Sequence, residues 1–419
     1  MRHLLIDITP LRTSPAFRRF FIGRAVSGLG GQISIVAVMY QVWEATHSPF
    51  WSGSVALARL VPMLAIGLWG GVVADRADRR SILLATNLAQ LVLALLLMAQ
   101  ALWLSTSPSS LGLVLVLVAL MAAAGSVAAP ASMSVIPRLL PTDRVAPGLA
   151  LNRLSFQGSM LLGPALGGLI IGYAGLEIAY AVDALSFAAG FIGVAGLPAL
   201  APARRTSRGG VLEGLRFAAT QPVVRGVLLV DLAATVLAMP VSLFPLVNET
   251  RFGGDPRTLG LFLTAIAVGG VAASLFSGSF TRHSRPGVIT IGAAAVWGLS
   301  LGAVGLVTSP WLCLCLLAVA GAADSVSVVT RGTLIQLAVP DDLRGRTAAI
   351  EMIVGAGGPE IGNLRGGAVA QLSSGSFALV SGGITCLLAL AAVGATSRPM
   401  LAFRTGQTPL GTASRSPSG

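Results

Sequence analysis

The stretch Gly71-Val72-Val73-Ala74-Asp75-Arg76-Ala77-Asp78-Arg79-Arg80 decides how this chain is read. It is apolar up to Ala74, turns ionic over six residues, and gives way to a second apolar run. The apolar segments on either side, 50–74 and 81–104, each exceed the roughly 20 residues a spanning helix needs. The run therefore closes a helix hairpin at the surface of a lipid bilayer. Gly71 lets two helices approach closely. Asp75 can cap a neighbouring helix N-terminus, where negative charge is favoured. Arg76, Arg79 and Arg80 can hold carboxylates.

Working outward, the same test finds twelve spans: 17–43, 50–74, 81–104, 110–137, 147–172, 176–197, 223–248, 257–280, 287–307, 310–336, 347–372 and 375–397. The breaks between them alternate in charge. Those at 75–80, 138–146, 198–222, 281–286 and 337–346 carry arginine, as do both termini. Those at 44–49, 105–109, 173–175, 249–256, 308–309 and 373–374 hold almost none. Arginine-rich loops stay cytoplasmic, so both termini are expected inside. The first span is too long and glycine-rich for a removed signal peptide.

Composition agrees. Of 419 residues, 54% are hydrophobic and 11% charged, against roughly 25% charged in a soluble domain. Mean hydropathy is +0.82. All 28 basic residues are arginine. Without lysine there is no Walker A loop to hydrolyse ATP, and no Schiff-base chemistry. The net charge of +12 follows from topology, so no nucleic-acid partner is expected. Cys313, Cys315 and Cys386 lie in apolar stretches, and His3, His47 and His283 outside the spans. No metal-ligand spacing or disulfide framework results, and no cofactor is expected.

The longest internal break divides the spans six and six. The expected organisation is a six-helix bundle over 1–197, a cytoplasmic linker at 198–222 with a short amphipathic helix near 211–220, a second bundle over 223–397, and a disordered tail at 398–419. Two such halves suggest a transporter built from repeats, with its small-molecule site between them at the midplane. A monomer is expected.

The Gly-xxx-Asp-Arg-xx-Arg-Arg run resembles the signature of the major facilitator superfamily. The resemblance implies an all-α fold of twelve helices working by alternating access, and it makes Gly71, Asp75, Arg76, Arg79 and Arg80 part of a cytoplasmic gate. The corresponding place in the second half, Gly278 to Pro286, keeps the glycine and the basic residues but has Arg282 in place of an aspartate. In the fifth span, Gly158 and Gly163-Pro164-Ala165-Leu166-Gly167-Gly168 resemble the helix-bending motif of drug and metabolite exporters. Proline there bends the helix and glycines allow close packing. Together the two motifs imply export in exchange for protons. The arginine that such exporters usually carry in the fourth span is absent, since none lies between Met121 and Arg138.

The chain also resembles a narrower group, the catecholate siderophore (enterobactin) exporters. The likeness is clearest in Thr13-Ser14-Pro15-Ala16-Phe17-Arg18, Ser284-Arg285-Pro286-Gly287 and Leu343-Arg344-Gly345-Arg346. These are loops, which mark the subgroup and do not read cargo. A macrolide or multidrug pump is the alternative. A passive channel or a membrane enzyme is a distant one; an enzyme would need a carboxylate cluster or a nucleophile with its base.

Charges at bilayer depth cost at least about 2.5 kcal/mol and are normally paired or functional. Within the spans fall Arg24, Arg59, Arg153, Arg331 and Arg365, and Asp183, Asp231, Asp324, Glu351 and Glu360. Arg24, Arg153, Arg331 and Glu351 sit near cytoplasmic ends, and Arg331 and Glu351 are assigned to the gate. Arg59, Asp183, Asp231, Asp324, Glu360 and Arg365 are candidates to line the substrate and proton cavity. Superfamily analogy makes Asp231 and Asp324 the proton carriers, with a permanent structural salt bridge as the alternative. Glycines around Pro359 suggest a hinge in the eleventh span. Glu360 and Arg365, five residues apart, should each seek a partner on another helix. Tyr40, Trp43, Trp51, Tyr173, Tyr180 and Trp311 read as an interfacial aromatic belt.

Overall fold

The computed structural model describes residues 7–76, 78–104, 110–200, 211–276, 280, 283–340 and 343–404, without the side chains of 67–76, 104, 211–215 and 345. Among these residues there is no strand. The helices are α1 (Thr9–Thr13), α2 (Pro15–Thr46), α3 (Pro49–Arg76), α4 (Arg79–Leu104), α5 (Leu111–Leu139), α6 (Thr142–Ala174) and α7 (Leu176–Ala195). Then come α8 (Val211–Thr220), α9 (Pro222–Ala238), α10 (Phe244–Phe252), α11 (Pro256–Leu275) and α12 (Pro286–Val304). The last are α13 (Pro310–Ala338), α14 (Arg344–Leu372), α15 (Gly375–Thr396) and α16 (Arg398–Ala402).

Eleven segments are long and apolar enough to cross a membrane, one of them being α9 and α10 taken together. The twelfth, α14, has the length but carries Glu351, Glu360, Asn363 and Arg365, which lower its hydropathy. This is the expected all-α membrane fold. The amphipathic helix at 211–220 is present as α8. The tail expected to be disordered opens instead on α16, whose Met400 is buried. A Cβ on Gly226 would lie 3.0 Å from its sulfur, and one on Gly287 2.2 Å from its carbonyl oxygen, so this short helix is seated on α9 and α12. Residues 405–419 lie outside the described residues.

Local chemistry starts these helices. Proline is favoured in the first helical turn, where its missing N–H is not needed, and α2, α3, α9, α11, α12 and α13 all open on one. Ser14 caps α2 by accepting from the Phe17 N–H at 3.2 Å, and Ser374 caps α15 through the Phe377 N–H at 3.2 Å.

The chain forms two compact units, Met1–Thr206 with Phe244–Thr264, and Ser207–Leu243 with Ala265–Gly419. The first is built on α2 against α7. A Cβ on Gly23 would lie 2.8 Å from the Ala189 carbonyl oxygen, and one on Gly193 2.7 Å from that of Arg19, so only glycine permits this approach. Phe17, Phe20, Ile82, Leu83, Val135, Ile136 and Leu151 form a dry core at the arginine-rich end of α2, α4, α5 and α6. In the second unit α11 meets α13 in the same way: a Cβ on Gly321 would sit 1.9 Å from the Ile266 carbonyl oxygen.

Candidate functional site

The second unit gathers charges that lie far apart in the sequence. Arg331 of α13 is paired through Nη1 with Asp231 Oδ1 of α9, and both side chains are nearly sealed, at 12% and 4% exposure. Asp324 precedes Arg331 by seven residues, two turns along one helix face. The charges of Arg331 and Asp231 act on Asp324 and also on Glu351 of α14. Asp231 is the carboxylate paired with the guanidinium, and Asp324 and Glu351 stand near enough to feel both charges. The two residues assigned to the gate and the two proton-carrier candidates belong to a single cluster. Asp231 follows the start of α9 by nine residues and Arg331 precedes the end of α13 by seven, so the two stand at nearly one depth.

Outward of this cluster α9 breaks. Pro240 cannot donate to the helix, and the chain passes through a 3₁₀ turn at Val241–Leu243 before α10. The groups freed by the break are taken up by α14. Arg365 Nη1 donates to the Leu237 carbonyl at 2.7 Å, a cation at a helix C-terminus. The Ser242 N–H donates to Asn363 Oδ1 at 3.1 Å, and Ser242 Oγ to the Asn363 carbonyl at 2.7 Å. The two helices touch along the glycines of α14. A Cβ on Gly358 would lie 2.4 Å from Thr235 Oγ1, and one on Gly362 2.0 Å from the Thr235 carbonyl oxygen. Arg365 thus has its partner on another helix. The interruption, however, falls after α9, while α14 runs unbroken through Pro359. Glu360 and Arg59 both interact within the chain.

In the first unit Asp183 of α7 is fully buried. Its carboxylate accepts from Ser34 Oγ of α2 and from Ser186 Oγ, the latter at 3.3 Å. A second buried set lies further along the same helices. Gln41 Nε2 donates to Gln100 Oε1 at 2.6 Å, and Tyr180 Oη to Gln41 Oε1 at 2.7 Å. Tyr180 is therefore a core residue, and Trp43, also buried, donates to Glu249. Both leave the expected aromatic belt because each ring's polar tip has a partner inside the unit. Trp51, Tyr173 and Trp311 are exposed, as a belt requires.

The exporter-type motif of α6 packs on two neighbours. Gly163 and Gly167 face α2, where a Cβ would lie 2.3 Å from Gln32 Cβ and 3.2 Å from the Ile33 carbonyl oxygen. Gly168 faces α11. Its Cβ would meet the Pro256 carbonyl oxygen at 2.6 Å, and one on Gly260 would meet that of Pro164 at 2.4 Å. Gly158 has open space around it.

At the ionic hairpin, the side chains of Gly71, Asp75 and Arg76 lie outside the described residues, as do Gly278, Thr281 and Arg282 of the second copy. Arg79 is buried, and Arg80 Nη2 donates to the Ala195 carbonyl at the end of α7 at 2.7 Å. The residue that organises this corner is Asp78, which has no place in the motif as read from sequence. It accepts from the Leu200 N–H at 2.7 Å and from Ser81 Oγ at 3.3 Å. Burial pushes its carboxyl up, but the N–H groups of Leu200, Arg80 and Ser81 and the Ser81 hydroxyl outweigh this and hold it below the usual carboxylate range. An aspartate just ahead of a helix start is the signal that could have found it.

Eleven membrane-length apolar segments and the polar α14 among the described residues, with an ion pair buried in the second unit, have the build of a membrane transporter. Comparison with known proteins gives the family. The chain matches the family model described as transmembrane secretion effector over residues 7–404, and it belongs to that family. The enterobactin exporters EntS of Shigella boydii and Escherichia coli are each 26% identical to it over 397 residues, covering 92% of this chain and 94% of theirs. Among solved structures, a bacterial homologue of the lysosomal transporter Spinster superposes with a TM-score of 0.72 at 14% identity, over 96% of this chain and 100% of that one. The chain is thus a multi-pass exporter of the major facilitator fold, not an enzyme.

Proposed function

We propose that this chain carries a siderophore-like, catechol-bearing small molecule out of the cell in exchange for protons, by alternating access, from the bacterial inner membrane. The observation that carries the coupling is the buried Arg331–Asp231 pair, with the carboxyl groups of Asp324 and Glu351 within reach of its charges. One arginine balances one carboxylate. The acids in excess supply the place where protons are taken up and released within the membrane. Arg331 then serves as the switch partner, exchanging its contact among the acids as protons come and go. The cargo class rests on the likeness to EntS, whose name gives enterobactin as what those proteins export.

The remaining site residues take supporting roles in this reading. Arg365 and Asn363 hold the broken end of α9 against α14, so that the cluster is fixed from its outer side. The glycines of α6 let α2 and α11 come close to that helix and give the motif its freedom to slide. Gly71, Asp75 and Arg76 form the cytoplasmic gate, with Arg79 and Arg80 beside them.

The experiment is secretion from cells that make a catecholate siderophore but lack their own exporter. Expression of this chain should restore the siderophore in the medium. The variant D231N/D324N, present at equal level, should not. Secretion no greater than that of the empty strain would overturn the cargo class, and full secretion by the double variant would overturn the proton assignment.

A further inference from the structure

The first unit contains an arginine that no acid among the described residues balances. Arg24 of α2 is half-buried, and both of its bonded nitrogens meet neutral groups. Nε donates to Asn152 Oδ1 of α6 at 3.0 Å, and Nη1 donates to Ser132 Oγ of α5. Among the described residues no carboxylate lies within ion-pair distance of it.

The three residues lie at one level. Arg24 follows the start of α2 by nine residues, and Asn152 that of α6 by ten. Ser132 precedes the end of α5 by seven. At 1.5 Å per residue all three are about 10–15 Å in from the arginine-rich ends. A cation at that depth is costly unless paired. Snorkelling would carry the guanidinium towards water, but here it is held sideways by two other helices.

The guanidinium fork has five N–H groups. Two are used, which leaves one on Nη1 and both on Nη2. The edge between Nη1 and Nη2 is one a carboxylate takes in the bidentate geometry. The face of α2 beyond it is lined by small residues. Gly28, one turn on, has Ser159 Oγ 3.1 Å from the position of a Cβ, and a Cβ at Gly31, two turns on, would meet nothing within 4 Å.

We infer that Arg24 is the anion-binding point for the cargo, receiving a carboxylate or other anionic oxygen group of the transported molecule through Nη1 and Nη2. The inference rests on the export reading and narrows it: the cargo is acidic, which separates it from the amine-bearing drugs and macrolides that a pump of this fold can also carry. Asn152 and Ser132 are positioning residues, which fix the plane of the guanidinium.

The test is calorimetric titration of the full chain, held in phosphatidylcholine nanodiscs at neutral pH, with a matched pair of probes. These are 2,3-dihydroxybenzoate and 2,3-dihydroxybenzamide, which match in shape and differ in charge. The wild type should bind the acid about tenfold more tightly than the amide. Arg24→Gln, whose amide nitrogen stands in the place of Nε beside Asn152, should bind both alike, and Arg24→Lys should retain part of the preference through its point charge. Equal preference in the wild type and Arg24→Gln would overturn the assignment, as would a wild type that shows no preference or binds neither probe. Replacing part of the lipid with phosphatidylglycerol should leave acid binding unchanged; its loss would assign the site to a lipid headgroup instead. Arg24-dependent acid binding with no catecholate secretion from cells would sink the catecholate cargo while leaving the anion site in place.

Discussion

Gly362→Ala is the sharpest perturbation the structure offers. The added Cβ would sit 2.0 Å from the Thr235 carbonyl oxygen and 2.8 Å from Met239 Cβ, where 3.4 Å is ordinary contact. The first neighbour is backbone in a helix, so it cannot turn aside. The helices α9 and α14 must part locally by about 1.4 Å, the shortfall from 2.0 to 3.4 Å. That displacement stretches the Arg365–Leu237 bond, now 2.7 Å, and the Ser242–Asn363 bonds at 3.1 and 2.7 Å, beyond hydrogen-bonding range. Each buried group left without a partner costs roughly 1–3 kcal/mol. With partial relaxation the total is about 3–6 kcal/mol. Gly355→Ala on the same helix is the control, because its Cβ would come no nearer than 3.9 Å to Asp231 Oδ2. The assay is thermal unfolding of the purified protein followed by tryptophan fluorescence. At about 2 °C per kcal/mol, the lower end of the range for larger domains, Gly362→Ala should unfold about 6–12 °C earlier, and Gly355→Ala within about 2 °C of wild type. Equal midpoints for the two variants would refute the reasoning that α14 clamps the break after α9.

Arg331→Gln should destabilise by about 3–5 kcal/mol, as removal of one partner from a buried pair does, and Asp231→Asn by less, because Arg331 keeps Asp324 and Glu351 nearby; chemical denaturation of both variants checks the order. Ser34→Ala should cost about 1–3 kcal/mol, because it removes a donor from the sealed Asp183 carboxylate, and the same titration reads it. Asp78→Ala should cost about 1 kcal/mol as the loss of a capping carboxylate at the start of α4. The folded carboxyl of Asp78 lies below its ordinary value of 3.8, so its stabilisation is fully present above that value and fades as pH falls through the folded one. The gap between wild type and Asp78→Ala, measured as unfolding midpoints across pH, should therefore be constant from neutral pH down to about 5 and shrink as the solution becomes more acid.

Much of this fold was legible in the sequence because lipid imposes simple rules. Apolar length marks a span, arginine marks the breaks at one end of it, and proline opens the helix, as Pro15, Pro222 and Pro310 do. Length and charge also found α14, whose polar residues hide it from a test of apolarity alone. The site was harder to read. Asp231 and Arg331 are a hundred residues apart, and nothing in their local sequence pairs them. Span limits drawn from apolarity alone, 223–248 and 310–336, set the two in different roles, although they stand nine and seven residues from the helix ends. The hinge expected at Pro359 is continuous helix, since proline in a long membrane helix is tolerated when neighbours satisfy the freed carbonyls. The break lies instead at Pro240, where a proline inside an apolar run was the cue. Tyr180 and Trp43 look like interfacial aromatics by position, but their hydrogen-bond partners, Gln41 and Glu249, come from distant segments.

Coupled outward movement is read in inverted membrane vesicles. In them the cytoplasmic face is outside, so export appears as uptake. Labelled catecholate siderophore should accumulate when the vesicle interior is acid, stop when an ionophore collapses the gradient, and fail in vesicles carrying D231N/D324N. Accumulation no greater than in vesicles without the protein, or accumulation indifferent to the gradient, would contradict the account.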